Sequence, residues 1–509
     1  MPFNRLFSKI IRRRMVEIND TLDHPVKSQE IVFTNLMSNL PQTQFGLDHG
    51  FRSPKSTPSL SEFQEKIPIR NYDDIKPWIT RSQAGASDVL WPGKTQWFAK
   101  SSGTTSDRSK FLPVTNEALK TGHYKGGRDL LAMFCEQVPH APLYGGKHLI
   151  IGGSSKLHSD DSGSYSGDLS AIIIRNLPPW VEMRRTPGRK ITMLDDWEKK
   201  VDLMAEKVVN EDVRILAGIP SWMLVVTKRV LEISGAETLD EVWPNLWLYM
   251  HGGVGFAPYK AEFDRLIKSE NMHYMETYNA SEGFFGIQDD LQRDDMALLL
   301  SHGIYYEFIP LSELDSKNPL TLTTEQLEIN GEYELVISTS AGLWRYKLGD
   351  IIRVTCTAPL RIVIVGRTSS FLNVVGEELM IAQTELALSR AFHASPHHLK
   401  DFIVAPRFDI DSGNPIGHEW VIECATIPSS LIAEDLANKI DEELRLVNSD
   451  YDAKRSGSMI LSMPTINFVP PGTFEKWLSS HNKLGGQHKI PRLSNSRQML
   501  DELLVITNL

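Results

Sequence analysis

The segment from Ser101 to Lys110 has the composition of a loop that binds phosphate groups. Small and hydroxylated residues let the backbone turn tightly and present N–H and hydroxyl donors, which is what a flexible polyphosphate needs. Lys110 adds a mobile positive charge for a phosphoryl oxygen. A solvated turn has the same composition, so the role of this segment depends on the rest of the chain. The residues that begin it are Ser101, Ser102, Gly103, Thr104 and Thr105.

Strands alternate with helices between residues 195 and 282, which predicts right-handed crossovers and a mostly parallel sheet. Apolar runs predict strands at 213–218, 246–250 and 273–278, with helices over 196–210, 221–234 and 258–269. Ligands of such sheets bind outside the carboxyl ends of the strands. Polar or glycine-rich stretches follow all three strands, at 219–221, 251–255 and 279–282. We therefore expect a binding pocket at this edge of the sheet.

Beyond Glu282 several runs alternate apolar with polar residues or are rich in β-branched residues. This predicts antiparallel strands arranged as a small barrel. Between two of these strands lies the stretch from Tyr346 to Asp350, in which the aspartate directly follows Gly349. An aspartate in this position is a turn residue, or it accepts hydrogen bonds from the hydroxyls of a ribose. The residues alone leave both interpretations open.

The last part of the chain is predicted to form a small sheet with helices on one face. The predicted fold class is therefore α/β, with a large N-terminal domain at 1–369 and a smaller, mobile α+β domain at 370–509. The large domain combines mostly parallel α/β sheets with a small antiparallel β-barrel. Lys489 lies in a loop that starts with glycines and ends with a proline. By composition alone, such a lysine is only solubilising.

Composition excludes several classes of function. The chain has 509 residues, of which 41% are hydrophobic and 23% charged, so it is globular and can bury a sizeable core. A net charge of -10 argues against a nucleic-acid surface. The three cysteines are far apart and form no CxxC pair, which favours a reducing, cytoplasmic location over a disulfide framework. No apolar run is long enough to predict a membrane span.

The N-terminus predicts an amphipathic helix that ends in three arginines. Its apolar residues have helical spacing and precede Arg12, Arg13 and Arg14. This pattern is typical of a first helix that docks on its own domain, and less often of a helix at a membrane surface. The apolar residues are Phe3, Leu6, Phe7, Ile10 and Ile11.

Four of these segments, taken in order, resemble the core motifs of the adenylate-forming enzymes. The run from Ser101 to Lys110 resembles the phosphate loop of that superfamily, and Tyr278-Asn279-Ala280-Ser281-Glu282 resembles its adenine and magnesium motif. Tyr346 to Asp350 resembles the ribose motif, and Gly366-Arg367 resembles the start of the hinge. Within the superfamily, the residues at 101–113, 251–259, 278–283 and 487–492 are similar to those of the Gretchen Hagen acyl-acid amido synthetases, and the likeness spans nearly the whole chain.

The resemblance implies an enzyme that uses ATP and Mg²⁺ to activate a carboxylic acid as acyl-AMP, releases pyrophosphate, and transfers the acyl group to an amino acid or another amine. It assigns catalytic roles to Lys110, Glu282 and Lys489, with Glu282 as the metal ligand. Lys489 holds the carboxylate against the α-phosphate, and the small domain swings about Ser369 between the two steps. Nucleotide binding falls to the following residues: Ser101, Ser102, Gly103, Thr104, Thr105, Lys110, Gly252, Gly253, Tyr278, Asn279, Ala280, Ser281, Glu282, Tyr346, Asp350 and Arg367.

The sequence departs from the superfamily pattern at two places. Asp107 stands where a phosphate-loop glycine is usual, and Lys347 stands where the ribose motif has arginine, with Arg345 nearby as a candidate substitute. A lysine cannot make the same planar two-point contact. Two other functions stay open on the sequence alone, an acyl-CoA ligase of the same superfamily and a non-catalytic nucleotide-binding protein.

Overall fold

The structure is a computed structural model of the chain. It describes all residues except 1, 53–56, 102–109, 153–156, 160–161, 193, 195–196, 254, 315, 368–371, 373, 375–376, 378, 394, 409–414, 449–450, 453–454, 456–460, 482–489, 495 and 508–509. The described residues form two compact units, one of residues 1–253 and 267–363, the other of 254–266 and 364–509. The predicted boundary between 369 and 370 lies outside the described residues. No helix of the described part is long and apolar enough to cross a membrane.

Helices make up the chain before the first strand. They are α1 (Pro2–Ile11), α2 (Met15–Asp23), α3 (Pro25–Asn39), α4 (Gln44–Asp48), α5 (Leu60–Lys66) and α6 (Tyr72–Gln83). The strands β1 (Trp97–Ser101) and β2 (Lys110–Val114) follow, then α7 (Asn116–Ala118), a π-helical turn (Leu119–His123) and α8 (Tyr124–Gln137). The Thr115 hydroxyl accepts a hydrogen bond from the Ala118 N–H and so caps the start of α7.

The N-terminal helix docks on its own domain, as predicted. The ring of Phe7 lies 4.2 Å from that of Tyr144, between centroids. Arg12 donates a hydrogen bond to Glu136 at 2.6 Å, and Arg14 pairs with the buried Asp129 of α8. These two arginines, which could have faced a membrane, therefore bind carboxylates of the same unit.

The middle of the chain alternates strands and helices as predicted. Its elements are β3 (Lys147–Ile150), β4 (His158–Ser159), β5 (Tyr165–Gly167), α9 (Leu169–Arg175), α10 (Pro179–Glu182), β6 (Arg185–Thr186), α11 (Arg189–Thr192), α12 (Trp197–Val208), β7 (Val213–Gly218), α13 (Pro220–Ser234), α14 (Leu239–Val242), β8 (Leu248–Gly252), α15 (Ala257–Leu266) and β9 (His273–Ala280). The strands β6, β3, β7, β8 and β9 are parallel neighbours in that order. Helix α15 connects β8 to β9 in the chain but belongs to the second compact unit.

Antiparallel strands continue this sheet. They are β10 (Gly283–Ile287), β11 (Met296–Leu298), β12 (Ile304–Pro310), β13 (Glu332–Thr339), β14 (Tyr346–Thr357) and β15 (Leu360–Arg367). In the described residues the full order is β12-β13-β14-β15-β11-β10-β9-β8-β7-β3-β6, so the strands expected for a small barrel extend the parallel sheet through the β9–β10 hairpin. A second sheet has the order β2-β1-β5-β4. The stretch from Tyr346 to Asp350, expected between strands, is already part of β14.

The second unit is an α+β fold, as predicted. Its elements beyond α15 are α16 (Ile381–Phe392), β16 (Leu399–Phe408), β17 (Pro415–Cys424), α17 (Ser430–Val447), β18 (Thr465–Val469), α18 (Thr473–Ser480) and α19 (Gln498–Thr507). The strands form a sheet in the order β16-β17-β18 over a buried core that includes Trp420 and Ile440. The final helix α19 was not expected from the sequence.

Candidate functional site

The carboxyl ends of β7, β8 and β9 lie side by side, as the sequence predicts. Gly218 pairs with His251, and Gly252 pairs with Thr277. A Cβ on Gly252 would lie 2.3 Å from the Thr277 carbonyl oxygen, so only glycine fits between these strands. Gly253 then turns the chain with φ of +81°, a conformation that favours glycine. The two glycines therefore permit a close approach of backbone at the edge where parallel sheets bind ligands.

The segment from Tyr278 to Glu282 forms the end of β9 and the turn into β10. Ala280 pairs with Gly283, so Ser281 and Glu282 occupy the turn itself, where both are partly exposed. Glu282 therefore lies at the tip of the hairpin, while Tyr278 lies before the end of β9 and is buried.

Asn279 contacts His123, a residue that sequence reasoning did not select. His123 ends the π-helical turn before α8 and is buried. Burial lowers the pKa of His123 to about 4, and the neighbouring Asn279 side chain only partly opposes this shift. The imidazole is therefore neutral at physiological pH. Short π-helical segments often occur at functional sites, but no pattern in the sequence predicts this one.

Tyr278 and Asp350 bring two of the predicted motifs into contact. The Tyr278 hydroxyl donates a hydrogen bond to Asp350 Oδ2, across 72 residues of sequence, and both residues are buried. Their strands β9 and β14 are four steps apart in the sheet, which in a flat sheet is about 19 Å. Two side chains cannot span such a distance. The antiparallel part of the sheet must therefore curl, although its strands belong to the same sheet as the parallel ones.

A bulge in β14 sets the position of Asp350. Val336 pairs with Lys347 and Glu334 pairs with Ile351, so three residues of β14 lie opposite Leu335 alone. Gly349 lies in this bulge with φ of +83°. Bulges re-aim side chains and often occur beside active sites.

The other residues around the ribose motif have structural partners. Tyr346 is buried in the core, and its backbone forms a bridge with Arg70. Lys347 Nζ lies 2.9 Å from Glu334 Oε2. Arg345, the candidate substitute for the motif arginine, uses all five N–H donors on other residues: Glu307 (twice), Gln64, Ile67 and Thr321. Arg345 therefore holds the core together and offers no further donor to a ligand.

Ser101 and Lys110 lie opposite each other at the ends of β1 and β2. Lys110 Nζ is 5.8 Å from the centroid of the Tyr72 ring, and the Tyr72 hydroxyl accepts a hydrogen bond of 2.8 Å from the Phe111 N–H. Tyr72, at the start of α6, was not selected from the sequence. The strand pair brings both ends of the predicted phosphate loop together, on a different sheet from Tyr278 and Asp350.

Several predicted residues lie outside the described part of the chain. They are Ser102, Gly103, Thr104, Thr105 and Lys489. The side chains of Ser101 and Arg367 are likewise not described; the backbone of Arg367 ends β15.

The described residues contain no group of three or more His, Cys, Asp or Glu side chains that could hold a metal ion. Glu282 is the residue that the resemblance assigns to a metal. Mg²⁺ is commonly held by one or two carboxylates together with substrate phosphates and water, so the donor set fits that ion when a polyphosphate is bound.

Three family models match the chain in order. The GH3 family N-terminal domain matches residues 14–272, the GH3 family central domain 297–367 and the GH3 family C-terminal domain 382–498.

Characterised proteins also match over most of their length. A jasmonoyl–L-amino acid synthetase of Nicotiana attenuata is 22% identical, with 92% of this chain and 90% of that protein covered. A 4-substituted benzoates–glutamate ligase of Arabidopsis thaliana is 24% identical, with 96% and 97% covered. Among solved structures, the GH3.15 acyl acid amido synthetase superposes with a TM-score of 0.79 at 17% identity, over 98% of this chain and 96% of that one. The last match shows a shared fold.

Proposed function

Because the chain belongs to the GH3 family, we propose that it is an ATP-dependent acyl-acid amido synthetase. The observation that carries the proposal is the contact between Tyr278 and Asp350. It joins the segments that resemble the adenine motif and the ribose motif, although 72 residues separate them in sequence. A nucleotide needs both segments within reach of one another, and the curled sheet supplies that proximity.

The reaction has two steps. In the first, a carboxylate oxygen of the acid attacks the α-phosphorus of ATP, and the bond to the β-phosphate oxygen breaks to release pyrophosphate. In the second, the nitrogen of an amino acid attacks the acyl carbon, the bond from that carbon to AMP breaks, and the nitrogen loses a proton to water. Activation is required because a carboxylate anion repels nucleophiles and its oxide is a poor leaving group. Negative charge accumulates in the first step, so electrostatic stabilisation and positioning dominate catalysis.

The resemblance assigns a role to each residue, and the positions of the described ones are compatible with it. Asp350 accepts hydrogen bonds from the ribose hydroxyls, Tyr278 packs near the adenine, and Lys110 neutralises a phosphoryl oxygen. The glycines at the end of β8 let the nucleotide approach the backbone. Further nucleotide contacts fall to Ser101, Ser102, Gly103, Thr104, Thr105, Asn279, Ala280, Ser281, Tyr346 and Arg367.

We assign the metal site to Glu282. Its place at the hairpin tip between β9 and β10 suits a carboxylate that completes a shell made mainly of phosphate oxygens and water. Mg²⁺ supplies charge neutralisation at the phosphates when it is bound. Glu282 would hold the ion beside the strand that carries Tyr278.

The second unit contributes Lys489, which holds the acid against the α-phosphate during the first step. The small domain then rotates about Ser369, so that the amine reaches the acyl carbon. Hinge motions of this kind are common in enzymes that close over a substrate. This part of the proposal rests on the family resemblance.

The substrates are a small-molecule carboxylic acid and an amino acid, as the names of the matched synthetase and ligase indicate for those proteins. We place the reaction in the cytoplasm. Cys135, Cys356 and Cys424 are free thiols, which fits a reducing compartment.

The test is a screen for pyrophosphate release that crosses aryl, indole and fatty acids with the common amino acids, followed by mass spectrometry of the amide. We expect pyrophosphate release that requires an acid and ATP, and an amide that requires both substrates. Absence of release with every acid, from protein that is folded by circular dichroism, would overturn the proposal. Formation of an acyl-CoA thioester, with no amide from any amino acid, would identify an acyl-CoA ligase instead.

Lys489→Ala tests the role of the second unit within this screen. We expect a loss of adenylation of roughly 10²–10³-fold, the usual cost of one charge-assisted contact in a transition state. Amide formation from a supplied acyl-adenylate is expected to persist. The control is Lys476→Ala, an exposed lysine on α18, which should leave both steps intact. Equal loss of both steps in Lys489→Ala would contradict the assigned role.

A further inference from the structure

The Tyr278 hydroxyl donates its hydrogen bond to the one carboxylate that the proposed function assigns to the ribose. Adenine packing requires only the aromatic ring of Tyr278. The hydroxyl therefore needs a separate explanation. Both residues are buried, and a hydrogen bond to a buried charge is stronger than one between neutral groups.

The geometry of β14 explains why Asp350 needs support. Its carboxylate leaves a bulged segment, beside Gly349 with φ of +83°, where the ladder to β13 is interrupted. A bulge disrupts the ladder locally and re-aims its side chains. Tyr278, in contrast, lies in strand β9 with its ring 4.8 Å from that of Phe285, between centroids. A packed tyrosine thus holds a carboxylate that sits on irregular backbone.

An ionised carboxylate has about four acceptor sites on its two oxygens. One hydrogen bond from Tyr278 to Oδ2 uses one site and restrains the plane of the carboxylate. A ribose presents two neighbouring hydroxyls, and both can be bound only by a carboxylate in a defined orientation.

We infer that Tyr278 is a positioning residue for sugar recognition, which acts by orienting Asp350 toward the ribose hydroxyls. The inference rests on the proposed function, because it requires that the nucleotide binds here. It adds that the enzyme distinguishes ATP from a nucleotide that lacks one of the two ribose hydroxyls through a pair of residues, and that the tyrosine hydroxyl is half of that pair.

The experiment measures the binding of ATP and of 3′-deoxy-ATP by calorimetry, and kcat/KM for pyrophosphate release with each, in the wild type and in Tyr278→Phe. Phenylalanine keeps the ring and removes only the hydroxyl. We expect the wild type to prefer ATP, and Tyr278→Phe to reduce this preference by roughly tenfold, the effect of losing one charge-assisted hydrogen bond. If the hydroxyl had only a structural role, its loss would weaken the binding of both nucleotides equally and leave the ratio of their affinities unchanged.

The chain provides a matched control in Tyr306. This tyrosine is buried in the same core as Tyr278, 6.4 Å from the same Phe285 ring, between centroids, and its hydroxyl has no hydrogen-bond partner among the described residues. Tyr306→Phe should leave the preference for ATP unchanged. Asp350→Ala should abolish the preference, and adding Tyr278→Phe to it should have no further effect on the ratio, because the two residues act as a unit.

The outcomes are distinguishable. If the wild type binds no nucleotide, the proposed function fails. If the wild type prefers ATP and Tyr278→Phe keeps the full preference, the inference fails while the proposed function stands. A wild type that binds ATP and 3′-deoxy-ATP alike also overturns the inference, because Asp350 then does not read the ribose.

Discussion

At the scale of single residues, Arg345 shows how a position beside a motif can mislead. It lies next to the ribose motif, yet its backbone has φ of +46°, and its side chain is directed to Glu307, 38 residues earlier. All five donors of the guanidinium are satisfied inside the protein. A planar, fully hydrogen-bonded arginine of this kind cannot be replaced by a point charge.

We predict that Arg345→Lys destabilises the protein and leaves the KM for ATP nearly unchanged. Lysine has three donors and no fork, so at least one buried acceptor loses its partner, at about 1–3 kcal/mol. Thermal melting monitored by calorimetry, together with ATP titrations, checks this. The control is Arg353→Lys on β14, because Arg353 is exposed and its ion pair with Glu332 is 3.7 Å long. Equal melting temperatures of the two variants, with a raised KM in Arg345→Lys, would show that Arg345 binds the ribose after all.

At the scale of elements, the bulge in β14 is the feature that connects folding to chemistry. Without the bulge, residues 348–350 would pair with β13 one by one, and their side chains would alternate between the two faces of the sheet. The two additional residues and the positive φ of Gly349 instead bring Asp350 to Tyr278. The curl of the antiparallel part of the sheet then brings β9 and β14, which are four positions apart in the sheet, close enough for this contact.

We predict that Gly349→Ala raises the KM for ATP and costs about 1–2 kcal/mol of stability, because a Cβ is disfavoured at φ of +83°. Gly50→Ala is the matched control: Gly50 has φ of +80° and open space around it, so it incurs a similar backbone cost outside the nucleotide motifs. Steady-state kinetics and melting curves of both variants separate the two effects. A KM for ATP that stays at the wild-type value in Gly349→Ala would show that the bulge does not position Asp350.

At the scale of the whole molecule, the sequence predicts what depends on neighbours in the chain. The parallel strands around Val213–Gly218 were predicted because an apolar run between turn residues is a local pattern. The contact between Tyr278 and Asp350 was not predicted, because it depends on how far the sheet curls. His123 was missed for the same reason, because its burial against Asn279 requires the π-helical turn and β9 to be in place. The assignment of residues 254–266 to the second unit is also a property of packing.

Four desolvated histidines make the stability of the whole protein depend on pH. Burial lowers the pKa of His123, His148 and His302 to about 4 and that of His251 to about 3, from an ordinary value of 6.5. Below the ordinary value the unfolded chain takes up protons at these positions and the folded chain does not. The contribution of these histidines to the free energy of unfolding is therefore fully present above about pH 6.5. It is lost as the pH drops toward 4, by up to about 1.4 kcal/mol per pH unit for each histidine.

We predict that the melting temperature falls between about pH 7 and pH 5, and that His302→Gln makes this fall shallower because one titrating group is removed. Glutamine keeps a polar side chain beside Asp129, which limits the structural damage. His24→Gln, at an exposed position, controls for the effect of the substitution itself. Calorimetric melting across this pH range measures all three proteins. An identical slope for His302→Gln and the wild type would mean that His302 is already protonated in the folded state, and that its pair with Asp129 is an ion pair rather than a neutral contact.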